Sequence, residues 1–203
     1  MKKIIFFVLS MVILISLFAI SALANSKTHT VVKGDTMWRI AVKYEVGLSE
    51  LGAANPQIKD LALIYPGQII NIPSIDEATQ SYEEEVVRLV NKERASRGLS
   101  PLKHNWELSR VARYKSEDMK NRNYFSHTSP TYGTPYQMMK SFGISYKTAG
   151  ENIARGYATP NAVVDGWMNS SGHRANILNS SFTEIGVGYY ADGSYWTQMF
   201  IGK

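Results

Sequence analysis

Three residues of this chain have side chains suited to moving protons and stand in turn-rich sequence: His127, Glu151 and His173. His127 lies in Phe125-Ser126-His127-Thr128-Ser129-Pro130, Glu151 in Ala149-Gly150-Glu151-Asn152-Ile153, and His173 in Gly172-His173-Arg174-Ala175-Asn176. Glycine beside a titratable group permits tight backbone bends, so the three are expected to meet in a polar cleft. If the rings of His127 and His173 converge on one ion, they could hold Zn²⁺ with a water in the open position. Glu151 would then orient a histidine or act as base toward that water. Without metal, the same groups form a hydrogen-bonded network that needs no cofactor. No His-Glu-x-x-His helix marks a metal site. Neither Ser126 nor Ser170 carries a mark of activation, so no residue is assigned a catalytic role, and binding or structural use ranks above catalysis.

Hydrophobic residues make up 44% of the 203 and charged residues 19%, the balance of a globular chain with room for a core. No cysteine is present, which excludes disulfides, thiolate metal sites and a thiol nucleophile. The net charge of +5 includes Lys2 and Lys3 and is otherwise scattered. That argues against nucleic acid and is compatible with weak attraction to anionic wall polymers. Residues 1–24 run from Lys2 and Lys3 through an apolar stretch to Ala22-Leu23-Ala24, the order of a secretory signal. Cleavage is expected after Ala24; the alternative is an uncleaved anchor, the chain's one route to a membrane.

The elements that must position these groups fall into two blocks. From 28 to 73 the pattern reads strand, helix, helix, strand: alternation at Thr28 to Val32, a Gly34-Asp35-Thr36 turn and cap, two helical runs, and Ile69-Ile70-Asn71-Ile72 before Pro73. Trp38, at helical spacing from Ala41, reads as a core aromatic, and His29 as an exposed polar residue. Residues 74–80 form a short polar linker. The second block, 81–203, opens on a Ser81-Tyr82-Glu83-Glu84 capping pattern, with Glu83 to Glu85 as solvated acids of a first turn. Helices follow from about Asn105, from Thr134-Pro135 and from Thr159-Pro160, the last ending at Gly172 so that His173 emerges past a helix end. His104 sits just outside the first of these. Met138, Met139 and Met168 read as core filler. Strands Glu184–Tyr190 and Tyr195–Ile201, joined through Asp192-Gly193, close an α+β fold as a hairpin.

Val31-Val32-Lys33-Gly34-Asp35-Thr36-Met37-Trp38-Arg39-Ile40-Ala41, Ala54-Asn55-Pro56-Gln57-Ile58, Ile64-Tyr65-Pro66-Gly67-Gln68 and Ile72-Pro73 together resemble a LysM domain. The resemblance implies a βααβ module that binds the N-acetylglucosamine backbone of peptidoglycan or chitin in a shallow groove. Carried onto this chain, the groove has Gly34, Asp35, Thr36 and Met37 on one side and Asn55, Pro56, Ile64, Tyr65 and Pro66 on the other. Met37, Ile64 and Tyr65 would offer apolar faces to the sugar rings.

The segments around His127, Glu151 and His173, with Val163-Val164-Asp165-Gly166-Trp167-Met168-Asn169-Ser170 and Phe182-Thr183-Glu184-Ile185-Gly186-Val187-Gly188-Tyr189, resemble the bacterial branch of the CAP superfamily. That family comprises cysteine-rich secretory proteins, antigen 5 and pathogenesis-related proteins. The resemblance implies an α-β-α sandwich with a cleft lined by two His and two Glu, of which His127, Glu151 and His173 match three. The eukaryotic pattern has its further Glu three places after the Trp matched by Trp167, where this chain has Ser170; Glu184, on the terminal hairpin, is the candidate substitute. The expectation is a secreted protein of the cell wall or spore surface, anchored on peptidoglycan, whose CAP domain binds an envelope or spore-coat partner. The alternative is a metal-assisted wall hydrolase or protease.

Overall fold

The computed structural model describes residues 27–203, so the expected export signal lies outside the described residues. The front module comprises strand β1 (Thr28–Thr30), helices α1 (Met37–Lys43) and α2 (Leu48–Ala53), and strand β2 (Ile69–Asn71), antiparallel to β1. The Thr36 hydroxyl accepts the Arg39 N–H and caps α1. Its core is Val31, Met37, Ile40, Ala41, Leu51, Ile70 and Ile72. Trp38 is not among them: at 63% exposure it lies on the solvent face of α1, because Met37 and Ile40 take the inward stripe.

Helix α3 (Glu77–Ala95) opens the back module, capped by Asp76 through the Thr79 N–H. Residues 77–80 of the expected linker are therefore helical, and Ser81 to Glu84 lie inside the helix instead of capping it. Strand β3 (Lys103–His104), α4 (Trp106–Asn121), α5 (Pro135–Ser141), β4 (Thr148–Arg155), α6 (Pro160–Asn169), α7 (Ser171–Ile177), β5 (Glu184–Tyr190) and β6 (Tyr195–Gly202) complete it. The sheet order is β3-β5-β6-β4, with β4 antiparallel to β6 and β6 to β5. Every residue of β6 is buried, as a strand covered on both faces must be. Trp196 and Phe200 point with Val86, Val90, Val163 and Trp167 to the side of α3 and α6; Met199 and Ile201 point with Leu108, Val111 and Met138 to the side of α4 and α5. Helix layers on both faces make this an α-β-α sandwich.

Glu83 is a buried joint of this sandwich, 2% exposed, and not a solvated acid. Its carboxylate accepts the Arg113 Nε–H at 2.9 and 3.0 Å and the Tyr189 N–H at 3.0 Å, tying α3 to α4 and β5. Burial pushes its carboxyl up to about 7 against the pull of Arg113. A raised folded-state value means that the stability Glu83 contributes is fully present below the ordinary carboxylate value and is lost as pH rises through about 7. Glu83→Gln, which cannot ionise, should flatten that decline by up to about 3 kcal/mol. Urea unfolding at a series of pH values checks this, and an equally steep fall in the variant would count against it.

The modules touch. Glu50 of α2 accepts Arg110 Nη1 at 3.0 and 3.1 Å and the Tyr114 hydroxyl at 2.7 Å, both from α4. Burial opposes its charge, but hydrogen bonds from Ser49, Tyr114 and Arg110 hold the Glu50 carboxyl below its ordinary value.

Candidate functional site

The site in the back module is assembled from α4 outward. Lys115 and Asp118, one turn apart on α4 and both buried, organise the loop that follows it. Lys115 Nζ donates to the Ser126 carbonyl at 2.7 Å, the His127 carbonyl at 2.8 Å and the Tyr124 hydroxyl at 3.1 Å. Asp118 accepts the hydroxyls of Tyr124, Ser129 and Thr131, each at 2.6 Å. Burial disfavours the Lys115 charge and pulls its amine below the ordinary value, while Glu151 and Asp118 oppose that. These contacts hold the His127 backbone, and the ring then reaches β4: His127 Nδ1 lies 2.7 Å from Glu151 Oε1. The two groups share one proton, carried by Nδ1 when Glu151 is ionised, and Nε2 stays outside that contact on a side chain 54% exposed.

Glu151 stands on a strand, where a turn was expected. Gly150 has ordinary extended backbone; its missing side chain matters for space, since a Cβ there would lie 2.9 Å from Phe182 Cζ and 3.2 Å from Asn176 Oδ1. Burial raises the Glu151 carboxyl, and His127 and Lys115 offset part of that rise. Its Oε2 is buried and has no hydrogen-bond partner among the described residues.

His173 belongs to α7. Ser170, extended, separates α6 from α7, so Gly172 is helical and not a stop. The helix is pinned to β4 by side-chain amides: Asn176 Nδ2 donates to the Glu151 carbonyl at 3.2 Å and to Asn152 Oδ1 at 2.9 Å, and Asn152 Nδ2 donates to the His173 carbonyl at 3.1 Å. Burial, and then the charge of nearby His127, hold the His173 imidazole below its ordinary value. The structure thus brings His127 and Glu151 into contact and sets His173 beside them.

Glu184 does not join them. It lies on β5, separated from β4 by β6, where it accepts Asn105 Nδ2 at 2.6 Å and sits 3.4 Å from Lys203 Nζ. It anchors the start of α4 to the sheet. Ser170 makes no side-chain capping bond. Lys115, Asp118, Asn152 and Asn176 are site residues that sequence reasoning passed over; the last two lie within the quoted motifs, whereas nothing in the helical pattern distinguishes Lys115 and Asp118 from surface charges.

In the front module, Gly34 has φ of 95°, a left-handed turn that glycine adopts without strain. Asp35 is committed to structure, accepting the Val32 N–H at 2.9 Å and bonding His29 Nε2 at 2.8 Å. His29 is accordingly buried at 8% exposure, its Nδ1 on the Tyr44 hydroxyl at 3.1 Å, and is not the exposed residue expected. Met37 is 1% exposed and faces the core, so it offers no surface to a sugar. Asn55, wholly buried, has all its groups engaged: Nδ2 donates to the carbonyls of Leu51 and Asn71, and Oδ1 accepts the Asn71 N–H and Gln57 Nε2. Thr36, Pro56, Tyr65 and Pro66 remain exposed and Ile64 half-buried.

The Cysteine-rich secretory protein (CAP) family model matches residues 87–200, and the LysM domain model matches 29–73. The chain belongs to the CAP family. The chain is similar to "Uncharacterized protein YkwD" of Bacillus subtilis, 62% identical over 130 residues, 64% of this chain and 51% of that protein. It also resembles the crystal structure of an extracellular protein containing a SCP domain from Bacillus anthracis, with TM-score 0.60 and 36% identity over 68% of this chain and 47% of that one. Over 48 residues the chain is similar to spore coat assembly protein ExsA of Bacillus cereus, 48% identical, 24% of this chain and 8% of that protein. The chain spans about half the length of the curated Bacillus subtilis relative. LysM joined to CAP indicates an extracellular or cell-wall-associated protein. No helix among the described residues is long and apolar enough to cross a membrane.

The CAP site can be tested against zinc by its donors. Glu151 stands behind His127 as a carboxylate that orients a metal-binding imidazole would. Among the described residues, however, no three His, Asp or Glu side chains are grouped to hold an ion, and a catalytic zinc takes three protein ligands. His127 and His173 alone fall one short. What the site holds without a metal is a hydrogen-bonded His127–Glu151 pair whose buried carboxyl has its charge disfavoured.

Proposed function

We propose that this is an exported, wall-associated protein whose LysM domain grips the N-acetylglucosamine backbone of peptidoglycan while the CAP domain presents His127, Glu151 and His173 to a ligand of the envelope or spore surface. LysM domains bind such glycans as a class. The observation that carries the reading to particular residues is the division within the LysM loops: Asp35, Met37 and Asn55 are consumed in holding them, leaving Thr36, Pro56, Tyr65 and Pro66 open. A ring 56% exposed, flanked by proline and backbone amides, suits the apolar face and acetamido groups of a neutral sugar.

Binding outranks catalysis at the CAP site because the groups that converge there are a proton carrier and its carboxylate, with no nucleophile among their hydrogen-bond partners. Tyr65→Ala should weaken pull-down of the full chain on purified peptidoglycan about tenfold, the order expected for one lost stacking surface, without changing CAP stability. Equal retention of variant and wild type would count against the groove. Wall-degrading activity lost in His127→Ala and His173→Ala variants that still fold would replace the binding reading with the hydrolytic one.

A further inference from the structure

Arg155 ends β4 on the face that carries Glu151, since residues two apart along a strand share a side. It is exposed, yet its guanidinium is fixed between two rings, 5.6 Å from the centre of Phe125 and 5.7 Å from that of Tyr195. Nη1 also lies 3.4 Å from the Tyr195 hydroxyl. Among the described residues no carboxylate pairs with it. The nearby hairpin acid Asp192 is taken by Lys120 at 2.7 Å. Most surface arginines are mobile; this one has its planar fork held in place with its charge uncompensated, an arrangement that favours bidentate capture of an oxyanion.

Phe125 connects this cation to the site already described. It is 47% exposed and stands two residues before His127, whose backbone Lys115 clamps. Arg155, Phe125 and His127 therefore line one surface, over the roughly 13 Å that four strand residues span between Arg155 and Glu151. We propose that Arg155 and Phe125 form a subsite for the terminal carboxylate of a short peptide whose body extends toward His127. A peptide end places an apolar side chain next to its carboxylate and so uses ring and cation together. A polymer phosphate brings the charge without the apolar neighbour and leaves Phe125 uncovered.

The proposal is independent of the LysM glycan reading and is tested on the full chain by calorimetry, with an acetylated tetra-alanine acid, its C-terminal amide, and glycerol phosphate. The acid should bind about tenfold tighter than the amide, the worth of one charge-assisted pair. Arg155→Gln, at an exposed position, should bring the two to equal affinity. Arg155→Lys should recover only part of the preference, lacking the planar fork. Phe125→Ala should weaken acid and amide alike through the lost apolar contact, and should also reduce the preference for the acid because one of the two rings holding the guanidinium is gone. No binding of either peptide, equal binding by the wild type, a preference that survives Arg155→Gln, or glycerol phosphate binding as tightly as the acid would each overturn the proposal.

Discussion

Gly188→Ala should leave little folded CAP domain. A Cβ at that position would lie 2.1 Å from Arg113 N and 2.2 Å from Ala112 C, both backbone atoms of α4. Gly186 meets the same helix a turn earlier, 2.3 Å from Leu108 C and 2.4 Å from Ser109 N. The bare surface of β5 lets α4 lie against the strand so closely that the Ser116 hydroxyl reaches both the Gly188 carbonyl and the Thr197 hydroxyl at 2.9 Å, and Ser109 Oγ accepts the Val187 N–H at 3.0 Å. Backbone cannot rotate away as a side-chain end can. The added methyl must lift α4 from the sheet, stretching these buried bonds and opening the core of Leu108, Val111 and Met199.

An ordinary overpacked methyl costs about 1 to 3 kcal/mol, and one set against two fixed backbones should exceed about 4 kcal/mol, a large share of a domain's stability. Gly172→Ala is the control. Position 172 is helical, a Cβ there meets nothing within 4 Å, and the change should be neutral or stabilising by up to about 1 kcal/mol. Urea midpoints of the two variants check both, and a Gly188→Ala protein as stable as wild type would mean that α4 does not seat on β5 as described.

The hairpin of β5 and β6 was legible in the sequence because its information is local: Asp192-Gly193 sets the turn and apolar runs flank it. The capped starts of α4, α5 and α6 were legible for the same reason, each having a polar residue whose side chain accepts a backbone N–H three positions on. β4 was not. Its central residues are buried on both faces, and two of them, Glu151 and Asn152, are polar, so neither alternation nor an apolar run announces a strand. The end of α6 was misplaced because Gly172 resembles a stop, whereas the break lies in the extended backbone of Ser170.

The errors at the sites share a cause. Asp35, Asn55 and Glu83 have side chains that suit a ligand or solvent, and each is spent on protein partners, near in sequence for Asp35 and distant for Asn55 and Glu83. Met37 and Trp38 exchange their expected places because adjacent helical positions lie about 100° apart, and only the packing of α1 into the core of Leu51 and Ile70 decides which turns inward. Glu184 looked right by type and by element, but sheet order puts β6 between its strand and β4.

Lys115→Met should cost about 2 to 4 kcal/mol and, more tellingly, release His127. The substitution keeps most of the volume of a side chain 1% exposed and removes a cation whose burial is itself unfavourable. Against that gain, the part-buried carbonyls of Ser126 and His127 lose their shared donor, and each acceptor left unpaired costs roughly 1 to 3 kcal/mol to the extent that water cannot replace it. Asp118 would still hold Tyr124, Ser129 and Thr131, so the ends of the loop should stay in place while its middle loosens. Glu151 would lose two stabilising influences on its charge, the amine directly and the His127 hydrogen bond through movement of the loop, and its carboxyl should rise further. Proton-detected shifts of the His127 ring, read at one pH, separate release of the ring from loss of stability. In the wild type the ring is held 2.7 Å from Glu151 Oε1; in Lys115→Met its shifts should move to averaged, exposed values. Unchanged ring shifts in a destabilised variant would show that Lys115 supports the fold without placing His127.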